Sequence, residues 1–154
     1  MLPPVVMWVD PGKMTGIALY TKFNQQFEVD EYPFQRAGEI LWQRMMQYRS
    51  SLLVGWERFD IRPDTHKLTP QPDAIEIIGV TRFLAGVFNC RTTTPANPMS
   101  PDAYQQAHLK ALGWWVPGKD DAQSAANHML AWMLKSNELP PRLREKIRNV
   151  HAPS

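Results

Sequence analysis

Three acidic segments offer the chemistry that this sequence could perform. Asp10 ends one apolar run, Glu57 ends another, and Asp120 and Asp121 open a segment with helical periodicity. If the two apolar runs are neighbouring strands, the first two carboxylates meet at one edge of a sheet. Carboxylate oxygens are the usual protein ligands of hard divalent cations, and a pair of such cations is a common apparatus for cleaving phosphodiesters. The pattern therefore indicates a metal-dependent site.

Each acid also has an ordinary structural explanation. Asp before Pro-Gly is common turn chemistry, Glu57 could be a solvated strand end, and acids in a first helical turn stabilise the helix N-terminus. The coincidence of Asp10 and Glu57 at two strand ends favours catalysis. His128 lies about 10 Å along the helix from Asp121, so we expect a core or hydrogen-bonding role for it.

The elements that position these acids follow from periodicity and from turn residues. Strands are predicted over 5–10, 16–22, 26–33, 51–57 and 90–94. Helices are predicted from a cap at Thr69 or Asp73 to about Asn89, and over 36–49, 102–111, 120–136 and 141–149. Gly12 and Gly16 are expected to permit a tight turn and the close approach of a phosphate to the backbone.

The helix that ends near Asn89 is apolar on two sides. One stripe, predicted to face the core, consists of Ile75, Ile78, Phe83 (or Val80) and Val87. The other side is the predicted dimer surface and consists of Ile77, Val80, Leu84 and Phe88. Burial of both sides within one molecule is the alternative.

Composition places the chain among globular proteins. The 154 residues are 44% hydrophobic and 21% charged, which predicts a single domain, 1–154, that ends in a basic tail, 139–154. No apolar run could span a bilayer, the N-terminus lacks signal-peptide features, and one cysteine makes a disulfide or a thiolate zinc site implausible. We therefore expect a cytoplasmic protein without a membrane segment.

The motifs resemble those of a known nuclease family. Asp-Pro-Gly-x-x-Thr-Gly at Asp10, apolar-x-Glu-x-Phe at Glu57 and Asp-Ala-x-x-Ala-x-x-His at Asp121 look like the motifs of RuvC-type Holliday junction resolvases, particularly the small bacteriophage enzymes. The element order likewise resembles the RNase H-like α/β fold, which has a mixed five-stranded sheet flanked by helices. The order of elements is similar over nearly the whole chain, whereas specific residues match the family only at the three motifs.

The resemblance implies a Mg²⁺-dependent endodeoxyribonuclease that cleaves branched DNA as a homodimer. Asp10, Glu57 and Asp121 would be catalytic metal ligands, with Asp120 as a fourth and with Mn²⁺ able to replace Mg²⁺. The chain departs from the family at Ser124, where a further acid is common. Such an enzyme would act in the cytoplasm, which is the host cytoplasm if a phage encodes it.

Candidate DNA contacts adjoin the catalytic motifs. The net charge of +2 permits nucleic-acid binding without requiring it. Lys13, Arg62 and Lys119 are the favoured phosphate contacts. Phe59 could stack on a base, as an aromatic at this place does in the resembled family, or pack against the next helix.

Three alternatives stay open at the level of sequence. A nuclease of the same fold could prefer flaps or structured RNA. The acids could be turn and cap residues of a non-catalytic nucleic-acid-binding module. The turn at Asp10 also resembles the phosphate loop of sugar kinases and actin-like ATPases, but those proteins need two such domains.

Overall fold

The computed structural model describes residues 3–58, 72–97, 99 and 101–151. The described strands are β1 (Val5–Asp10), β2 (Met14–Thr21), β3 (Gln26–Pro33), β4 (Leu52–Trp56) and β5 (Arg91–Thr92). The described α-helices are α1 (Phe34–Tyr48), α2 (Pro72–Val87), α3 (Ala103–Leu112), α4 (Asp120–Lys135) and α5 (Pro141–Val150), and a 3₁₀ turn, Arg49–Ser51, precedes β4. Phe59, Arg62 and Thr69 lie outside the described residues.

These strands form one mixed sheet of five strands in the order β3-β2-β1-β4-β5. β1 pairs antiparallel with β2, and β2 with β3, whereas the β1–β4 and β4–β5 pairs are parallel. The predicted α/β architecture is therefore confirmed, including the adjacency of the strands that end at Asp10 and at Glu57. This adjacency is what brings those two carboxylates to one edge of the sheet.

Side chains of β1 alternate between two layers of core. Met7 and Val9 join the core beneath α1 and α2, while Val6 and Trp8 join the core beneath α4. The Trp8 ring fills the space over Gly55, where an added Cβ would lie 2.3 Å from a ring carbon. Asp10 continues the alternation of Val6 and Trp8 and so faces α4.

The apolar sides of helix α2 are largely exchanged relative to the prediction, although Ile78 and Val80 of the predicted core stripe are partly buried against the core. Ile77, Leu84 and Phe88 are buried in the core, whereas Phe83 is 68% exposed and Val87 is 48% exposed. The predicted dimer surface is thus wrong for these three buried residues. The inward side also carries the small residues Ala74, Thr81 and Ala85, which let the helix approach its neighbours closely.

Several element boundaries differ from the predicted ones. Strand β2 begins at Met14, helix α1 begins at Phe34, and β5 has only two residues. Asp73 lies inside the first turn of α2, after Pro72. Within the described part of the chain, no helix has the length and apolarity needed to cross a membrane.

Candidate active site

Four residues on neighbouring strands face α4 at the same end of the sheet. Asp10 is the partner of Gly16 across β1 and β2, and Gly16 is the partner of Glu31 across β2 and β3. On the other side of β1, the Glu57 amide donates to the Val9 carbonyl at 3.1 Å. The row Glu57, Asp10, Gly16 and Glu31 therefore crosses four strands, with a glycine between acidic residues.

Helix α4 lies over this row and meets a different strand at successive turns. Near its start, the Asp121 backbone rests on Gly16. One turn later the Ser124 hydroxyl, which donates to the Met99 carbonyl at 3.4 Å, lies close enough to Asp10 to lower its pKa, and a further turn on His128 lies beside Glu57. Gly16 is required by this helix packing, which is a different reason from the predicted approach of a phosphate.

Asp10 and Glu57 form a hydrogen-bonded pair of carboxyl groups. Asp10 is only 8% exposed, and its burial, together with the hydrogen bond and the negative charge of Glu57, raises its pKa to about 9. Two carboxylates in contact cannot both be ionised without a compensating charge. At neutral pH the metal-free pair therefore holds one proton.

His128 stabilises the charged form of Glu57. Its Nε2 lies 3.3 Å from Glu57 Oε2, within ion-pair distance, although the atoms are not aligned for a hydrogen bond that would satisfy this buried nitrogen. Burial opposes ionisation of Glu57, but the interactions with His128 and Asp10 outweigh burial and hold the pKa of Glu57 below its usual range. The expectation of a buried, non-ligand role for His128 agrees with this placement, but the sequence did not show that its neighbour is Glu57.

Asp121 stands at the edge of this pair. Burial, followed by the negative charges of Glu31, Asp120 and Glu57, raises its pKa, so it lies within the field of the other acids. Asp120 is exposed and points away from its neighbour, as consecutive helical residues do. The structure therefore brings Asp10 and Glu57 into contact, places Asp121 nearby and leaves Asp120 on the surface.

The carboxyl pair fits a divalent cation. Among the described residues, no group of three or more His, Cys, Asp or Glu side chains converges closely enough to hold an ion as placed. Buried Asp10 and half-buried Glu57 together retain a proton, and such a pair nevertheless has the donor chemistry of a site for a hard cation, which would compensate both charges once the proton leaves. Asp10 and Glu57 are the residues that could hold the ion, and Asp121 could complete its ligands.

The predicted DNA contacts have different surroundings. Lys13 is exposed in the turn that follows Asp10, on the same edge as the acids. Lys119 forms an ion pair with Asp30 at the start of α4, so it would have to exchange that partner for a phosphate. Phe59 and Arg62 lie outside the described residues, and their roles stay predictions.

Comparison with solved structures identifies the fold of this chain. No protein-family model matches this chain, and no curated protein sequence matches it significantly. Among solved structures, T. thermophilus RuvC in complex with a Holliday junction substrate is similar, with a TM-score of 0.55 and 13% identity; the match covers 87% of this chain and 97% of that one. The chain thus has the RNase H-like fold, as predicted.

A second structural match is more distant. A simian T-cell lymphotropic virus intasome, in complex with a PP2A regulatory subunit, matches with a TM-score of 0.34 and 10% identity. The match covers 95% of this chain and 48% of the intasome chain.

Proposed function

We propose that this protein is a metal-dependent endodeoxyribonuclease that cleaves branched DNA, with four-way junctions as its substrate. The observation that supports this most strongly is the contact between buried Asp10 and half-buried Glu57 at the ends of two parallel strands, facing α4. The resemblance to the bacteriophage resolvases adds the substrate class and a cytoplasmic place of action, in the host cell if a phage encodes the protein.

In this proposal Asp10, Glu57 and Asp121 bind Mg²⁺, or Mn²⁺ in its place, and Asp120 contributes from the surface. Bound Mg²⁺ would supply Lewis-acid stabilisation of the scissile phosphate and activation of water. Ser124 and His128 hold the two central carboxylates in orientation through their contacts with Asp10 and Glu57. The products would carry 5′ phosphates, as the resemblance implies.

The test is cleavage of a panel of labelled four-way junctions, flaps, linear duplexes and structured RNA, with Mg²⁺ and with Mn²⁺. We expect paired, symmetric cuts in the junction and much slower cleavage of the linear duplex. Preferential cleavage of flaps or RNA would support the alternative nuclease of the same fold. Binding without metal-dependent cleavage of any substrate would instead indicate a non-catalytic nucleic-acid-binding module.

Symmetric cleavage requires two sites, which a two-fold homodimer supplies. The outward side of α2 offers a surface for this dimer, with Ile75, Phe83 and Val87 between 46% and 68% exposed. Trp42 and Met46 of the adjoining α1 are also exposed large hydrophobic residues. We propose that this apolar surface, rather than the buried side of α2, joins two copies of the chain.

Substitution of Phe83 by glutamate should therefore convert the dimer to a monomer, because a charge at the centre of an apolar interface loses its hydration without gaining a partner. Sedimentation velocity over a range of protein concentrations measures this change. Phe23→Glu is the matched control, since Phe23 is 95% exposed in the β2–β3 turn and should leave the association unchanged. A wild-type monomer at all concentrations, or a dimeric Phe83→Glu variant, would contradict the proposed surface.

Lys13 should contact a phosphate beside the site. Removing one phosphate contact lowers the slope of log affinity against log salt by about one unit, and we expect this change from Lys13→Ala. Lys135→Ala is the control, because Lys135 lies at the other end of α4, about 20 Å along the axis from Asp121. Junction-binding titrations at several salt concentrations measure both variants, and an unchanged slope for Lys13→Ala would exclude the contact.

A further inference from the structure

The start of α4 lacks a cap from its own sequence. Lys119 occupies the N-cap position, and no side-chain hydrogen bond is made there. Helix N-termini leave backbone N–H groups without intrahelical partners, and Ser, Thr, Asp or Asn at the N-cap commonly accepts from them. Asp121, a proposed metal ligand, lies in the first turn of this helix. A contact that holds the helix start in place therefore also determines the position of Asp121.

The missing acceptor comes from strand β3. Glu31 Oε2 accepts hydrogen bonds from the Asp121 amide at 3.0 Å and from the Ala122 amide at 3.2 Å. The neighbouring residue of β3, Asp30, forms the ion pair with Lys119. Two consecutive strand residues thus hold the helix start from a distance of about 90 residues in sequence.

The position of Glu31 makes this contact specific to the site. Glu31 stands opposite Gly16, which stands opposite Asp10, so the helix start rests on Gly16 with an acid on either side. Withdrawal of Glu31 would leave two amides unpaired at the end of α4 nearest Asp10. The helix could then rotate or fray within its first turn, which is the turn that contains Asp121.

We infer that Glu31 is a positioning residue of the active site, which caps α4 from β3 and thereby sets Asp121 relative to Asp10 and Glu57. This inference rests on the proposed function for its consequence in catalysis, although the cap itself does not. Residues that orient metal ligands without binding the ion commonly change metal affinity or activity by about 10- to 100-fold when they are replaced. We expect a weakening in this range for Glu31→Ala.

The first measurement needs neither metal nor DNA. Amide hydrogen exchange in the metal-free protein should be faster at Asp121 and Ala122 in Glu31→Ala, while amides in the middle of α4 stay protected. Glu31→Gln retains an acceptor oxygen and should exchange more slowly than Glu31→Ala. The matched control is Glu28→Ala, which removes an exposed β3 acid that pairs with Arg44 and should leave both amides unchanged.

The second measurement is Mn²⁺ affinity by calorimetry, combined with junction cleavage as a function of Mg²⁺ concentration. We expect Glu31→Ala to need more metal for half-maximal activity, with Glu31→Gln between it and the wild type. Unchanged exchange and unchanged Mn²⁺ affinity in Glu31→Ala would overturn the inference. If the wild type binds Mn²⁺ but cleaves no substrate, the proposed function fails, and Glu31 is still judged by exchange and affinity.

Discussion

Asp10→Asn is expected to abolish Mg²⁺-dependent junction cleavage and, at the same time, to stabilise the metal-free protein. Activity falls because an amide replaces a charged oxygen ligand at the centre of the site. Stability rises because the pKa of Asp10, which burial and Glu57 raise to about 9, makes ionisation unfavourable in the folded state. Neutral asparagine keeps a similar shape without the need to hold a proton.

The pH dependence of this stabilisation has a definite sign. A carboxyl group whose pKa is raised on folding contributes stability at low pH that is lost as the pH rises towards the folded pKa. The advantage of Asp10→Asn over the wild type should thus be small near pH 4 and grow up to about pH 9. Near neutral pH the rise in Tm should exceed the roughly 2–4 °C that a change of about 1 kcal/mol produces in a domain of this size.

Thermal unfolding at several pH values, with and without Mg²⁺, measures the stabilisation and its pH dependence, and the junction-cleavage assay measures the loss of activity. Saturating Mg²⁺ should stabilise the wild type, because an ion bound only by the folded state adds to its stability, and should do little for Asp10→Asn. Glu57→Gln and Asp121→Asn should also lose cleavage. Asp120→Asn is the control among the acids, since Asp120 is exposed, and it should lose less than Asp121→Asn. Near-normal turnover by Asp10→Asn would remove Asp10 from the metal site.

The sequence predicted most of the sheet and the convergence of its two central acids. Short apolar runs that end in Asp10 and Glu57 could be paired without knowledge of side-chain packing, because a helix between two such runs favours parallel neighbours in one sheet. Asp10 and Glu57 are in fact hydrogen-bonded in the structure. The placement of Asp121 beside them depends on how a helix lies across strands, which periodicity does not specify.

Two features could not be predicted for physical reasons. Helix α2 is apolar on both sides, so its hydrophobic pattern does not choose which side is buried; close packing through Ala74, Thr81 and Ala85 decides the matter. The capping by Glu31 depends on the register of β3 against β2, which sets which of its acids faces α4. Both the buried side of α2 and the capping of α4 by Glu31 depend on residues distant in sequence, so no local sequence pattern predicts them.

Among the glycines, Gly16 is the one whose replacement by alanine should reduce junction cleavage most. A Cβ at this position would lie 1.9 Å from the Asp121 carbonyl oxygen and 3.0 Å from the Ala122 nitrogen. Both are backbone atoms, so the start of α4 must move away. Displacement of a catalytic group by about 1 Å can reduce the rate about 100-fold, and we expect at least this loss of junction cleavage.

The displacement also costs stability, because α4 must separate from the sheet or distort. Overpacking of a close contact typically costs about 1–3 kcal/mol, which thermal unfolding of the metal-free protein would measure. Gly38→Ala is the matched control, since an added Cβ in α1 meets nothing within 4 Å. That substitution should stabilise the protein by about 0.5–1 kcal/mol, because alanine is the better helix former, and should leave cleavage unchanged.

Comparing Gly16→Ala with Gly38→Ala distinguishes the effect of crowding against α4 from the effect of replacing a glycine by alanine in general. If Gly16→Ala cleaves junctions at a rate near that of the wild type, then the close seating of α4 on β2 is not needed to position Asp121. If it loses activity but binds Mn²⁺ as tightly as the wild type, then Asp121 contributes to the reaction without holding the ion. The expected result is a joint loss of cleavage and of Mn²⁺ affinity, because the helix start that the new methyl group displaces is the one that bears Asp121.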